Sequence, residues 1–315
     1  MGFIRNNKKL AELAGQPLES NYHEWVKYIA NTDMPIDFLL AGELAQIQTF
    51  AIPSISKILH ATRQYEKAGV KRLDDTRAIL TECMADTVHS ERGKSMVEQL
   101  NYIHGHYNIS NDDYLYTLAL FMLEPVRWCE NYGYRQLTND EKEALYLEFY
   151  DLGEAMHIQD IPASYEAMEF WFHRYRKKHM TFNPANTAVA EGLIHGMQQM
   201  VPKWLRPITN SLLKNMILTL IKDDELLTAL GLKAPAKPVQ WLVKMVMKVR
   251  AKVMKKLNWW QVFTYEQSFI YRHYSTYPGG YQPQCLGPDK IMTKRRGGAS
   301  GCPMQTMTEV MANRV

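Results

Sequence analysis

Two groups of residues have types and spacings that could support chemistry. Arg72 and Thr76 are four residues apart, so in a helix they share one face, where the Arg fork can bind a carboxylate and the Thr hydroxyl can donate to a ligand. His104 and His106 flank Gly105 at the end of a segment with helical spacing. Because residues two apart do not share a helix face, these two histidines do not predict a chelate while the helix persists.

These residues allow more than one interpretation. His104 follows an apolar stripe, so an inward-facing imidazole fits either the axial ligand of a haem iron or a hydrogen-bonded core residue. Arg72 and Thr76 fit either a ligand pocket or the solvated start of a helix capped by Asp74. Spacing alone leaves both alternatives open.

Other catalytic signatures are weaker. Glu154-Ala155-Met156-His157 is the one Glu-x-x-His pair in the sequence, whereas a di-iron carboxylate site needs two such pairs and two further carboxylates. The sequence contains no phosphate-binding Gly-rich loop, no Gly-x-Ser-x-Gly, no His-Glu-x-x-His and no Cys-x-x-Cys. A zinc or di-iron enzyme that uses His104, His106 and Glu154 is an alternative that metal analysis would test.

The composition bounds the class of protein. Of 315 residues, 46% are hydrophobic and 22% are charged, which is typical of folded globular proteins and excludes disordered and collagen-like chains. A net charge of +4 does not indicate general nucleic-acid binding. The 18 Tyr and 18 Met residues suit a cavity for an apolar ligand or flat cofactor, and equally an ordinary core. With no stretch of about 20 uncharged apolar residues, we expect no membrane span and a cytoplasmic location.

Helical periodicity runs along almost the whole chain, and no segment shows the alternation of a half-buried strand. The sequence therefore predicts an all-α fold, a single large domain over 35–285 with an N-terminal segment over 1–34 and a mobile C-terminal tail over 286–315. The first predicted helices cover 35–50, Pro53 to about Gly69, and Ser90 to His104, with a further helix capped by Asp74 before Ser90. Another helix begins at 111, and the next is opened by a Thr138–Glu141 capping box and stops at Gly153. The remaining predicted helices cover 163–180, 186–200, 207–230, 238–257 and 259–275.

Several segments, taken in order, resemble the MpaB-type oxygenases, which share a catalytic domain with the rubber oxygenases (latex clearing proteins). Each segment is short, and their order and spacing carry the resemblance. They are Arg72-x-x-x-Thr76, Met96-Val97 through His104, Leu123-Glu124-Pro125-Val126-Arg127-Trp128, Tyr132-Gly133-Tyr134-Arg135, Glu141, Gly153 to Ile161-Pro162, Leu226 to Leu232, and Tyr277-Pro278-Gly279-Gly280-Tyr281.

The resemblance implies a globin-like helical core that holds a b-type haem. It implies that the haem iron is bound by His104, with His106 as the competing ligand, that Arg72 lies near the haem, and that Thr76 lies in the pocket where dioxygen or peroxide binds. Rubber oxygenases cleave carbon–carbon double bonds of polyisoprene, and the fungal member cleaves a prenyl side chain. The implied activity is therefore a haem-dependent oxygenase that cleaves or hydroxylates a small apolar substrate, isoprenoid or unsaturated.

The sequence departs from the rubber oxygenases at two places. Those proteins have a lysine, able to ligate iron, before the Thr of the pocket, whereas this chain has Asp75. A carboxylate cannot reproduce that ligation; it would accept a proton or face water. The upstream glutamate that is proposed as a base in that family has no counterpart, because residues 44–65 contain no acid. Rubber cleavage itself is therefore not expected, and another oxidation stays open.

The predicted helix 238–257 is basic. It lies in a stretch without acids, Leu226 to Tyr265, with lysines at four-residue spacing on one face and apolar residues on another. This pattern fits either a helix lying on an anionic membrane surface or an outer helix whose apolar stripe packs on the protein. The lysine face of the helix is Lys244, Lys248 and Lys252, and its apolar face is Leu242, Met245, Val249 and Val253.

Two further alternatives to an oxygenase stay open for the whole chain, a non-catalytic haem-binding protein and a haem-free, membrane-associated helical module.

Overall fold

The computed structural model describes residues 7–257, 274–278 and 280–295, and the regular elements in these ranges are helices. The predicted all-α class is confirmed. A π-helical turn at Ile29–Asp33 joins the second and third helices, and a 3₁₀ turn covers Pro283–Cys285. The α-helices are α1 Asn7–Ala14, α2 Leu18–Tyr28, α3 Pro35–Thr49, α4 Pro53–Thr62, α5 Gln64–Asp86, α6 Glu91–His104, α7 Asn111–Tyr132, α8 Asn139–Ala155, α9 Tyr165–His179, α10 Pro184–Met200, α11 Arg206–Leu220, α12 Asp224–Ala229, α13 Lys237–Leu257 and α14 Asp289–Arg295.

One apolar core runs through the helices. The main packed pairs are α3 with α7, α2 with α8 and α5 with α10. Helix α2 lies in the predicted N-terminal segment, and its Trp25 and Val26 are buried in the same core as the rest of the fold. In the predicted tail, Leu286, Ile291 and Met292 are buried as well, while 296–315 lies outside the described residues.

Helices α5 and α10 meet backbone to backbone. A Cβ atom added to Gly196 would lie 2.9 Å from the carbonyl carbon of Gly69, and one added to Gly192 would lie 2.9 Å from that of Tyr65. Side chains at these positions would force the two helices apart, so the small residues set their separation. Next to this contact the backbone of α5 is kinked at Ala68, where φ is −138° and ψ is 41°.

Two predicted helix boundaries are wrong. The helix predicted from Pro53 to Gly69 ends at Thr62, because Arg63 adopts a left-handed conformation with φ of 56°. Helix α5 then runs on through Asp74, so this residue does not cap a helix. Its carboxylate instead accepts hydrogen bonds from the backbone N–H (3.0 Å) and hydroxyl (2.7 Å) of Thr276.

A third prediction, one helix over 207–230, fails because the chain turns at Lys222, where φ is 53°, between α11 and α12. The capping box is confirmed, since the Thr138 hydroxyl accepts from the Glu141 N–H and the Glu141 carboxylate accepts from the Thr138 N–H. Ser90 likewise caps α6 by accepting from the Gly93 N–H. The predicted helix 259–275 lies outside the described residues except for its last two positions.

Buried charges connect the helices that carry the resemblance motifs. Arg135 donates to Asp33 (2.6 Å) and to both oxygens of Glu141 (2.6 Å), and both carboxylates are almost fully buried. Trp128 donates its indole N–H to Asp37 (2.7 Å), which also pairs with Arg250 of α13. These motif residues therefore hold the helices together.

Two findings bear on the environment of the chain. In the described residues, no single helix is long and apolar enough to cross a membrane; α3 and α4 reach that length and composition only as a pair bent by 96°. Cys83 and Cys129 are free and buried, whereas Cys285 is disulfide-bonded.

We expect Arg135→Ala to lower the free energy of unfolding by about 3 kcal/mol or more, since it leaves two buried carboxylates without their shared cation. The matched control is Lys142→Ala, which removes a 3.2 Å ion pair with the exposed Glu130 and should cost less than about 1 kcal/mol. Chemical denaturation measures both. Equal effects of the two substitutions would contradict the structural role of Arg135.

Candidate active site

A cavity of about 220 Å³ lies between the middle helices of the chain. Its walls come from α3 to α8, the loop after α6, and Gly287 and Pro288 of the C-terminal segment. Most lining side chains are apolar, and most of the polar ones come from α3, α5, the end of α6 and the start of α7. All four residues predicted for the site line this one cavity: Arg72, Asp75, Thr76 and His104.

His104 is the last residue of α6, and its ring lies 5.3 Å from the ring of Tyr114 on α7. Its Nδ1 atom is shielded from solvent and makes no hydrogen bond with a described residue. Burial, reinforced by the positive charge of Arg72, lowers the pKa of His104 from its ordinary 6.5 to about 4. The imidazole is therefore neutral at physiological pH, which is the protonation state that a metal-ligating histidine requires.

Arg72 and Thr76 form one polar cluster on α5, together with a residue of α3. The Arg72 guanidinium donates to the Thr76 hydroxyl and lies 5.0 Å from the centre of the buried Tyr65 ring. Gln46 donates to the same hydroxyl (3.1 Å), which in turn donates to the backbone carbonyl of Arg72 (3.1 Å). A hydroxyl has one hydrogen, so Thr76 can donate into the cavity only by leaving that carbonyl, whereas Arg72 has further N–H groups.

Asp75 is buried, and its carboxylate forms an ion pair. Lys71 Nζ lies 2.9 Å from Oδ2 of Asp75, and the Tyr277 hydroxyl donates to its Oδ1. Lys71 also donates to the carbonyl oxygen of Gly287 (2.6 Å). The structure therefore places this carboxylate in the cavity wall with a charged partner, and it does not face water.

The C-terminal segment, residues 274–278 and 280–295, closes one side of the cavity. It is held by α5 through Asp74 and Asp75, and by α6 through Gln99, which donates to the carbonyl of Leu286 (2.5 Å). Gly287, with φ of +117°, gives the segment a backbone conformation that L side chains rarely adopt. The described part of the predicted tail therefore forms a wall of the site.

A second, smaller cavity adjoins the first. It has a volume of about 60 Å³ and shares Gln46 and Thr76 with it. The acid Glu43 lines it one helical turn before Gln46, and its Oε1 accepts from Arg77. Its Oε2 is shielded from solvent and makes no hydrogen bond with a described residue. A buried carboxylate oxygen therefore borders the same polar cluster as Thr76.

The other residues considered for metal binding are not brought together. His106 is exposed, and its Nδ1 contacts the carbonyl of Tyr102 (2.8 Å), while Glu154 and His157 are exposed near the end of α8. Among the residues that the structure describes, no three His, Cys, Asp or Glu side chains are placed to share a metal ion. A zinc or di-iron centre built on His104, His106 and Glu154 thus gains no support.

Sequence reasoning missed Gln46, Tyr65 and Glu43 as residues of the site. The available signal was in α3, where Glu43, Gln46 and Gln48 interrupt an otherwise apolar segment. Polar residues in a helix that is buried on most sides require partners, so they mark a functional or structural polar cluster. The acid-free stretch 44–65 begins directly after Glu43, so the range considered for an upstream acid excluded this residue by one position.

Comparisons with known proteins show which sequences this chain is similar to. The sequence model for the family described as "ER-bound oxygenase mpaB/B'/Rubber oxygenase, catalytic domain" matches residues 30–251. ER-bound oxygenase mpaB' of Penicillium brevicompactum is 31% identical over 228 residues, which cover 67% of this chain and 53% of that protein. ER-bound oxygenase mpaB of Penicillium roqueforti (strain FM164) is 28% identical over 200 residues, 58% of this chain and 67% of that protein. The chain spans about half the length of the first of these relatives.

The low pKa of His104 predicts a pH dependence of stability in the ligand-free protein. Between pH 6.5 and about 4 the unfolded chain protonates His104 while the folded chain keeps it neutral, so stability falls as the pH falls through this window. His104→Gln removes this term. Relative to the variant, the wild type should lose on the order of 2 kcal/mol from pH 7 to pH 4, measured by denaturation at each pH. A constant difference would contradict the burial of a neutral imidazole.

Proposed function

This chain belongs to the family of MpaB-type and rubber oxygenases, and on that premise we propose that it is a haem b-dependent oxygenase. Its substrate is a small apolar molecule, isoprenoid or otherwise unsaturated, which it cleaves oxidatively or hydroxylates with dioxygen or peroxide. The observation that carries the proposal is His104, a neutral histidine at the wall of the main cavity, with a shielded nitrogen that lacks a hydrogen bond.

The residues of the cavity fit a haem group. His104 supplies a neutral imidazole for the iron. Arg72 would supply a cation at the same cavity for a propionate carboxylate or for the oxidant. The remaining walls are mainly aliphatic and aromatic, which suits a flat apolar macrocycle and keeps water out.

The bound haem would supply the dioxygen chemistry, and the chain's residues position and polarise the reactants. Gln46 and Arg72 hold the Thr76 hydroxyl at the cavity wall, and the Arg72 guanidinium has further N–H groups that would be able to donate to the oxidant or to a carboxylate. Glu43 borders this cluster from the adjoining smaller cavity, with a buried carboxylate oxygen that makes no hydrogen bond with a described residue.

The nature of the walls supports an apolar substrate. Ile55, Ile58 and Leu59 of α4 line the main cavity, and Phe121 of α7 lines both cavities together with Gln46 and Thr76. Such a surface binds a hydrocarbon chain by excluding water and offers it few hydrogen bonds. An alkene or prenyl group placed there would meet the polar cluster at one end, which is what oxidation at a defined carbon requires.

The place of action stays a prediction. The relatives are named as ER-bound, which favours contact with a membrane over a protein that is free in the cytoplasm. We propose a cytoplasmic protein in peripheral contact with a membrane, where apolar substrates are dissolved.

The haem ligand is tested by comparing His104→Ala with His106→Ala. After addition of haemin, we expect the wild type and His106→Ala to bind about one haem per chain with the same absorption spectrum, because the exposed His106 is not a cavity residue. His104→Ala should lose the spectrum of axial imidazole coordination and most of its haem. If His104→Ala kept the wild-type spectrum and haem content, the proposed ligand would be wrong.

Turnover is tested by Thr76→Val, which has nearly the same shape without the hydroxyl. We expect haem content to stay the same and oxygen consumption with squalene or a prenylated phenol to fall on the order of 100-fold, as when a single positioned hydrogen-bonding group is removed from an active site. The control is Thr117→Val, which removes a hydroxyl from the same cavity wall and should leave oxygen consumption unchanged. Both hydroxyls donate to a backbone carbonyl four residues earlier, but Thr76 also accepts from Arg72 and Gln46. Haem binding without turnover of any apolar alkene would favour a non-catalytic haem protein instead.

A further inference from the structure

A large apolar surface lies exposed on α13 and at the start of α11. Of the eleven large apolar side chains that are exposed among the described residues, nine belong to this region. Trp204 is 77% exposed, Ile208 75% and Trp241 63%. Helices α11 and α13 pack against each other. We call this set the exposed apolar surface: Trp204, Ile208, Leu212, Trp241, Leu242, Met245, Val246, Val249 and Val253.

Helix α13 has three distinct faces rather than the two that the sequence pattern suggested. Val243, Met247 and Met254 are buried, and between them Arg250 pairs with Asp37 of α3 (2.7 Å). At 100° per residue, the stripe predicted from Leu242 to Val253 lies beside this buried face and is exposed to solvent. The interpretation that this stripe packs on the protein is therefore wrong.

The third face of α13 is positive. Lys244, Lys248, Lys252 and Lys255 follow one another at spacings of three and four residues and flank the exposed apolar face. None of them forms an ion pair with a described residue, while other surface cations of the chain, such as Lys214 with Glu191, do. The sequence contains no acid over 192–222 or over 226–265. The region around α11 and α13 thus combines exposed apolar side chains with unneutralised positive charge.

We propose that the exposed apolar surface, with the lysines beside it, binds the headgroup region of an anionic lipid membrane. The Trp and aliphatic side chains would enter the boundary between headgroups and acyl chains, while the lysines contact anionic headgroups. Arg250, held by Asp37 in the core, fixes the rotation of α13 so that this face points outward.

Charge distinguishes a membrane from the other obvious occupant, a second copy of this chain. A symmetric dimer through α13 would bring two sets of unpaired lysines together, with no acid on the facing surface to neutralise them. An anionic lipid surface supplies the missing negative charge. This inference does not depend on the oxygenase activity, since it concerns binding alone.

The full chain is tested by co-sedimentation with phosphatidylcholine vesicles that either contain or lack phosphatidylserine. We expect binding to the anionic vesicles, weaker binding to neutral ones, and a decrease at high salt. We expect two double variants to lower the partition coefficient onto anionic vesicles on the order of tenfold or more. Trp241→Ser with Leu242→Ser removes two apolar side chains, and Lys248→Glu with Lys252→Glu reverses two charges. Because all four side chains reach the surface, folding is checked by an unchanged circular dichroism spectrum.

Matched controls remove the same chemistry elsewhere. Phe170→Ser removes an exposed aromatic ring on α9, and Lys177→Glu with Lys178→Glu reverses two exposed charges on the same helix. These variants should bind vesicles like the wild type. Absence of binding to anionic vesicles, or an equal loss in the controls, would overturn the proposal. So would a wild-type dimer in light scattering that Trp241→Ser disperses, because the surface would then belong to a second copy.

Discussion

The close contact between α5 and α10 is the constraint on which the site depends. Gly69 meets Gly192 and Gly196 with almost no space for a Cβ atom, so the two helix backbones are in direct contact at this crossing. The kink at Ala68 lies within this crossing, between the contacts at Tyr65 and Gly69, and Arg72 follows it by one turn. The direction of the polar cluster on α5 is therefore set by the backbone contact as well as by the packing of side chains.

Helix α5 also buries an unusual amount of charge. Asp74, Asp75 and Glu82 are all buried and all contact the C-terminal segment, where Tyr281 donates to Glu82 (2.7 Å). Removing carboxylates from water costs free energy that only well-placed donors and cations recover. Such contacts specify one position of the C-terminal segment on α5 more strongly than they add to the free energy of folding. One helix thus carries the proposed reactive residues on its cavity side and the attachment of the cavity's outer wall on its other sides.

Local patterns in the sequence predicted the elements well, and non-local contacts explain the failures. The Thr138–Glu141 box and the Ser90 cap depend on residues three positions away, so the sequence alone reveals them. Asp74 has the residue type of a cap, but its partner Thr276 lies 202 positions further along the chain. The Arg72–Thr76 pair and His104 were found by spacing and by family resemblance. Gln46 was missed because its hydrogen bond to Thr76 connects two helices.

The wall formed by Gly287 has a consequence for the order in which the protein is assembled. The bond from Lys71 to Gly287 joins residues 216 positions apart, so this wall of the cavity is synthesised long after the helices that form the other walls. Until then, helices α4 to α8 can fold around a space that is open on this side. A bulky ligand can enter during that interval without disturbing the core. After closure, the same entry requires the hydrogen bonds from Lys71 to Gly287 and from Tyr277 to Asp75 to open, so loading during synthesis and exchange in the finished protein should differ in rate.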